Sequence, residues 1–246
     1  MKHESKASHR LVCCSDILGF SPKFKSMPTN QKLEEYNEII ETLKSACHYI
    51  CDYRTDPSEF SLKRCNFYWF SDTFLLFSNE FSFDRSDEFI EDTLVDFLRS
   101  VKSLFLRFLY SGFPLRGGID YGEFIAEPTE NIFIGEALID TFKNSEGHAW
   151  AGIALLPNLS SKIIDSEKIR KLLTRYQVPT KNGSSQEMTV INWASDLSIT
   201  SKDNPEEYIS TQFRKYCMAM EPKAEDYCKN TISFLKQNMI TSAKKA

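Results

Sequence analysis

Residues 86–110 carry Ile90, Leu94, Phe97, Leu98, Val101, Leu104, Phe105 and Phe108 at helical spacing, and Gly112 follows as a natural stop. A helix with so wide an apolar face has to be covered by other elements. The segments around it predict what covers it. Residues 10–18 form a short apolar run that ends in Gly19-Phe20, and Ser21-Pro22 breaks it. Leu33, Tyr36, Ile39, Ile40, Leu43, Ala46, Cys47 and Ile50 recur at helical spacing, with Thr29 or Asn30 as a cap. Residues 65–70 and 73–78 are aromatic and β-branched around Ser71-Asp72, which predicts a tight hairpin. Residues 115–121 are a further strand.

The order strand, helix, strand, strand, helix, strand predicts an α/β (α+β) chain with a ferredoxin-like βαββαβ core. Additions follow. Residues 123–126 and 131–134 read as a second hairpin around Pro128, with a short helix opening at Gly135. Residues 149–155 read as a strand and 160–175 as a helix. A late hairpin, 177–179 with 188–193, surrounds Lys181-Asn182-Gly183-Ser184-Ser185, and a charged helical end begins near Pro205. The expected division is a core over 8–158 and a C-terminal helix, hairpin and helical extension over 159–246.

The 246 residues carry a net charge of -4, without the basic balance of a general nucleic-acid binder. The seven cysteines (13, 14, 47, 51, 65, 217 and 228) form no CxxC pair and read as reduced, mostly buried thiols. No run approaches the roughly 20 apolar residues of a membrane span, and no apolar signal segment follows the N-terminus. A cytoplasmic protein without a membrane partner is expected. The four histidines lack ligand spacing, and neither a Walker loop nor a G-x-S-x-G elbow occurs.

Three segments carry candidate chemistry. They are Asp16-Ile17-Leu18-Gly19-Phe20 at a strand end, Tyr68-Trp69-Phe70-Ser71-Asp72 into a hairpin tip, and Leu115-Arg116-Gly117-Gly118-Ile119 in a strand. Asp16 and Asp72 are carboxylates inside apolar strands, and pairing the first strand with the hairpin lets them meet. Two adjacent carboxylates repel, and a hard divalent cation between them relieves this. Read singly, each Asp is an ordinary turn or cap residue and Arg116 a solvated strand-end cation. The ordered set is what points to metal-assisted phosphoryl chemistry.

Together the three segments resemble the class III nucleotidyl cyclases, phosphorus–oxygen lyases whose catalytic domain has a D-[IV]-x-G-F strand end, a hairpin with a G-D or S-D tip, and an L-R-x-G-[IV] strand. The stretch Ile132-Phe133-Ile134-Gly135-Glu136-Ala137-Leu138 resembles the family's segment before its last catalytic helix. The resemblance implies two Mg²⁺ or Mn²⁺ ions held by Asp16, Asp72 and the Ile17 carbonyl. It implies a turn over Leu18, Gly19 and Phe20 that offers N–H groups to phosphate, and an Arg116 contact to phosphate. It further implies a head-to-tail homodimer with composite sites.

Two positions depart from the family pattern. Purine cyclases of this class place a Lys four residues before the hairpin Asp; here Tyr68 stands there. A Tyr at this position is similar to the bacterial pyrimidine cyclases of the Pycsar antiphage system, as is the late element around Val178-Pro179-Thr180-Lys181 and Val190-Ile191-Asn192-Trp193. Those enzymes make cyclic UMP or cyclic CMP, which activates a separate effector. The expected substrate is therefore UTP or CTP, with UTP favoured. The family's Asn and Arg, four and eight residues after Gly135, are replaced by Ile139 and Lys143. Lys143 either supplies the missing positive charge or is a helix-surface residue. The other readings are a catalytically silent, cyclase-like nucleotide-sensing or dimerisation module and an ATP or GTP cyclase.

Overall fold

The computed structural model describes residues 7–52, 65–196, 203–217 and 223–243. The sequence-predicted core forms as expected. Strand β1 (Ser8–Ile17) pairs antiparallel with β3 (Thr73–Ser78) on one side and β4 (Leu115–Glu127) on the other. Strand β2 (Cys65–Phe70) forms the hairpin with β3, giving the order β2-β3-β1-β4 of a ferredoxin-like sheet. The sheet continues through β6 (Gly152–Leu155), parallel to β4, then β8 (Ser185–Ile191) and β7 (Leu173–Pro179); the short β5 (Ile132–Ile134) pairs with the far end of β4.

Alternation along the strands assigns two faces. Leu11, Cys13 and Ile17 of β1 and Phe74 and Leu76 of β3 point into the main core. This face is covered by α2 (Thr29–Asp52) and α3 (Asp87–Ser111), which pack on each other. Ser86 caps α3 by accepting from the Phe89 N–H, and Gly112 ends it at φ 90°, a left-handed conformation that suits glycine.

The opposite face is covered by α4 (Glu136–Glu146), which lies along β4. Two glycines make this approach possible. A Cβ on Gly118 would stand 3.2 Å from the Thr141 carbonyl oxygen, and one on Gly122 would stand 3.4 Å from the Ala137 Cβ. Ala137, Thr141 and Ser145, spaced four apart, are the buried residues of α4.

As expected, β1 ends before Ser21-Pro22; α1 (Phe20–Ser26) follows it, with Pro22 in the first turn, where its missing N–H breaks no helical bond. One expectation needs correction. The continuous helix expected over 160–175 does not form. Two single turns, α5 (Pro157–Ser160) and α6 (Glu167–Arg170), are followed by β7, whose residues pair with β8 from Leu173 to Pro179. Thr174, Tyr176 and Val178 share one face of that strand, and this pairing outweighs the helical spacing of the preceding apolar residues. The C-terminal end is helical from Pro205, as expected, in two helices, α7 (Pro205–Cys217) and α8 (Lys223–Ala243).

Helix α8 is fastened to the core. Phe234 packs on Trp150, Tyr176 and Trp193 with ring centroids 4.9–5.1 Å apart. The Asn230 amide donates to the Ala149 carbonyl at 2.7 Å, and the Ala151 N–H donates to the Thr231 hydroxyl at 2.9 Å. Among the cysteines, Cys13 and Cys14 are buried, Cys65 and Cys228 half-buried, and all four are free thiols. The side chains of Cys47, Cys51 and Cys217 lie outside the described residues. No described helix is long and apolar enough to cross a membrane.

Candidate functional site

Sheet register brings the three motif segments to one mouth. Asp16 stands opposite Thr73 on one side and Arg116 on the other. Asp72, in the two-residue turn between Phe70 and Thr73, is the next residue along; Ser71 before it takes the left-handed conformation, φ 54°. The hairpin tip is tied to β1 by the Ile17 N–H, which donates to the Asp72 carbonyl at 3.1 Å. The Ile17 side chain is in the main core, so Ile17 can offer the mouth only its backbone.

Gly19 turns the chain at φ 82° into α1. The Leu18 N–H is already given to the Pro114 carbonyl at 2.9 Å. Of the turn Leu18-Gly19-Phe20, that leaves Gly19 and Phe20 as the residues whose N–H groups a ligand could take. Phe20 anchors the turn by stacking on Phe24 and packing against the core.

Arg116 is held on every side. Its Nε and Nη2 donate to the two oxygens of Asp16 at 3.3 and 2.9 Å, and Nη1 donates to the carbonyls of Glu146 and His148, each at 3.2 Å. Four of five guanidinium N–H groups are used, so Arg116 is chiefly a clamp joining β1, β4 and the end of α4. One N–H remains for the phosphate contact expected from the sequence. The side chains of Arg116 and Asp16 are 8% and 23% exposed, so the pair is largely withdrawn from water and Asp16 is the member that reaches the surface.

Burial pushes the Asp16 carboxyl above its usual range; Arg116 pulls it back, and the Asp72 charge pushes it up again. Burial, then the Arg116 charge, pulls the His148 imidazole down to about 4, and its Nδ1 has no hydrogen-bond partner among the described residues. The donor set suits a divalent cation. Two repelling carboxylates face one mouth, and Arg116 uses only one lone pair on each Asp16 oxygen. No group of three or more His, Cys, Asp or Glu side chains arranged to hold a metal occurs among the described residues. A metal here would therefore take Asp16, Asp72 and backbone or substrate oxygens.

Tyr68 lies on the same sheet face as Asp16. It pairs with Leu75, which pairs with Cys14, two residues before Asp16. From strand spacing, Tyr68 and Asp16 are roughly 12 Å apart between Cα atoms. Its ring stacks on Phe77 and leans on Phe133 at 5.7 and 4.6 Å between centroids, while the hydroxyl has no hydrogen-bond partner among the described residues. Lys143 is exposed in the last turn of α4, and Ile139, one turn earlier, is also exposed.

The sequence drew attention to the late hairpin loop but not to where it goes. Strand β7 returns it to the mouth: the Lys181 N–H donates to the Gly147 carbonyl at 2.8 Å, and Thr180 bridges to His148. The Lys181 ammonium is pulled down by burial and by Arg116, and Asp16 acts in the opposite sense. Tyr227 of α8 feels the same Arg116 and Asp16 charges. Nothing in the local sequence around 181 or 227 announces this; only the sheet order and the docking of α8 bring them there.

Two solved structures of a bacterial light-regulated adenylyl cyclase superpose on this architecture with a TM-score of 0.52, at 12% and 13% identity, over 88% of this chain. The chain shares the fold of these cyclases. It spans 59% of the length of the chains it matches. No protein-family model and no curated protein sequence matches it.

Proposed function

We propose that the chain is a nucleotidyl cyclase that converts UTP or CTP into the 3′,5′-cyclic monophosphate and pyrophosphate. The observation that carries this reading is the pairing of Asp16 and Asp72 at one mouth, on a fold shared with adenylyl cyclases. Two Mg²⁺ or Mn²⁺ ions, when bound there, would supply Lewis-acid activation of the 3′-hydroxyl and neutralise the triphosphate. Asp16, Asp72 and the Ile17 carbonyl would hold them. Arg116 opposes the rise that burial imposes on the Asp16 carboxyl and aims it, and the Gly19-Phe20 turn directs N–H groups toward phosphate.

Tyr68 supports the pyrimidine assignment. Its ring is fixed between Phe77 and Phe133, and its hydroxyl is available to a base edge. A fixed ring narrows a base pocket toward one-ring bases. Polar readout then discriminates sharply, because a wrong base leaves buried groups unpaired.

A homodimer accords with an apolar surface. Ile132 and Ile134 of β5, with Ile139 and Phe142 of α4, are each more than two-fifths exposed. In a composite site the metal carboxylates come from one copy and Tyr68 from the other. Lys143, exposed on the same helix, then faces the shared cleft and supplies positive charge there. The product would act as a messenger for a separate effector.

The test is incubation of the pure protein with Mn²⁺ and each of the four ribonucleoside triphosphates, with products identified by mass spectrometry. Cyclic UMP or cyclic CMP well above cyclic AMP and cyclic GMP is expected. A preference for ATP or GTP favours the purine reading, and absence of any cyclic product favours the catalytically silent one.

A further inference from the structure

Beside the Asp16–Arg116 mouth, the β7–β8 loop and the first turns of α8 enclose a cleft of about 360 Å³. That volume falls at the lower end of the roughly 300–1,000 Å³ of small-ligand pockets. Its charged lining is Lys181, Lys223, Lys229 and Asp226, a surplus of positive charge. Lys229 is engaged by Glu225 at 2.8 Å. Lys181 and Lys223 have no ion-pair partner among the described residues, and burial, the Arg116 charge and the Lys223 charge all pull the Lys181 ammonium down. Two cations that repel across one cleft, with Arg116 adding to the same field, are relieved by a multiply charged anion.

The cleft is joined to the mouth electrostatically and mechanically. Lys181 and Tyr227, both lining it, feel Asp16 and Arg116. Asn230 and Thr231, one turn beyond Tyr227, bind the backbone of Ala149 and Ala151. Tyr176 donates to the Asn230 carbonyl at 3.1 Å. The helix that carries Lys223 is thus clamped to the strand beside Arg116.

We propose that Lys223, from the C-terminal helix, completes with Lys181 a subsite for the terminal phosphates of the substrate and for the pyrophosphate product. This rests on the cyclase reading for the identity of the substrate, but the anion site itself can be measured without turnover. The probe is inorganic pyrophosphate, titrated calorimetrically into the metal-free protein. Lys223→Gln should weaken its binding about fivefold at an unchanged melting temperature. Lys223→Arg should restore it. Lys236→Gln, the same charge change on the same helix at a lysine paired with Glu206, should leave it unaltered. With a pyrimidine triphosphate, Lys223→Gln should raise KM more than it lowers kcat. Pyrophosphate affinity and KM both within twofold of wild type in folded Lys223→Gln would overturn the proposal, whatever the cyclase assay gives. The fivefold loss in a protein that cyclises no triphosphate would uphold the anion site and sink the cyclase reading instead.

Discussion

Arg116 grips both carboxylate oxygens of Asp16, with Nε and Nη2 at 3.3 and 2.9 Å, from directly across the β1–β4 ladder. The pair is largely buried, and the same guanidinium holds the carbonyls of Glu146 and His148. Removing one member of such a pair strands the other's charge and costs about 3–5 kcal/mol. Arg116→Ala should therefore lower the melting temperature as well as activity. The double variant Asp16→Ala/Arg116→Ala should lose less stability than the two single losses added together. Strict additivity in denaturant melts would mean that the pair is not coupled.

Asp72 offers a cleaner test of the metal assignment, because no salt bridge depends on it among the described residues. Asp72→Asn should keep the wild-type melting temperature. Its Mn²⁺-dependent cyclisation should fall by more than about a hundredfold, if metals both activate and stabilise. Near-normal turnover in this variant would remove Asp72 from the site.

His148 gives the fold a pH dependence whose sign can be worked out. Its folded pKa is lowered from 6.5 to about 4 by burial and the Arg116 charge. Between those values the unfolded chain binds the extra proton and the folded chain does not. Stability is then fully present above about pH 6.5 and is lost as the pH falls toward 4, by on the order of 3 kcal/mol. Asp16, whose carboxyl is raised, contributes in the opposite sense at the acid end. Chemical denaturation between pH 7 and 4 should show the loss, and His148→Gln should flatten it. An unchanged slope in that variant would assign the acid sensitivity elsewhere.

Tyr68→Phe separates the hydroxyl from the ring. The stack on Phe77 and Phe133 survives the change, so folding should hold. If the hydroxyl reads the base, the ratio of pyrimidine to purine kcat/KM should fall at least tenfold. Competition between UTP and ATP in one reaction measures this directly. An unchanged ratio would leave Tyr68 as a packing residue.

The βαββαβ core was legible because its signals are periodic. The stripe on α3 and the aromatic hairpin of β2 and β3 each encode one element with little help from the rest. The pairing of Asp16 with Asp72 followed from those elements and a two-residue turn. Arg116 was legible only as a candidate, and its carboxylate clamp depends on register across β1 and β4, which no local pattern fixes. Residues 177–179 of β7 were legible as an arm of the late hairpin, but its first half was hidden because Ile169, Leu172 and Leu173 mimic helical spacing, and only pairing with β8 decides otherwise. Lys181 and Lys223 are 42 residues apart in sequence (223 − 181 = 42) and share a cleft only through the docking of α8.

Product stoichiometry under Mn²⁺ tests the central claim most directly. Wild-type protein supplied with UTP or CTP should release the 3′,5′-cyclic monophosphate and pyrophosphate in equal molar amounts, and Asp72→Asn should release neither. Linear mono- or diphosphate products from the wild type, or equal cyclic product from Asp72→Asn, would contradict it.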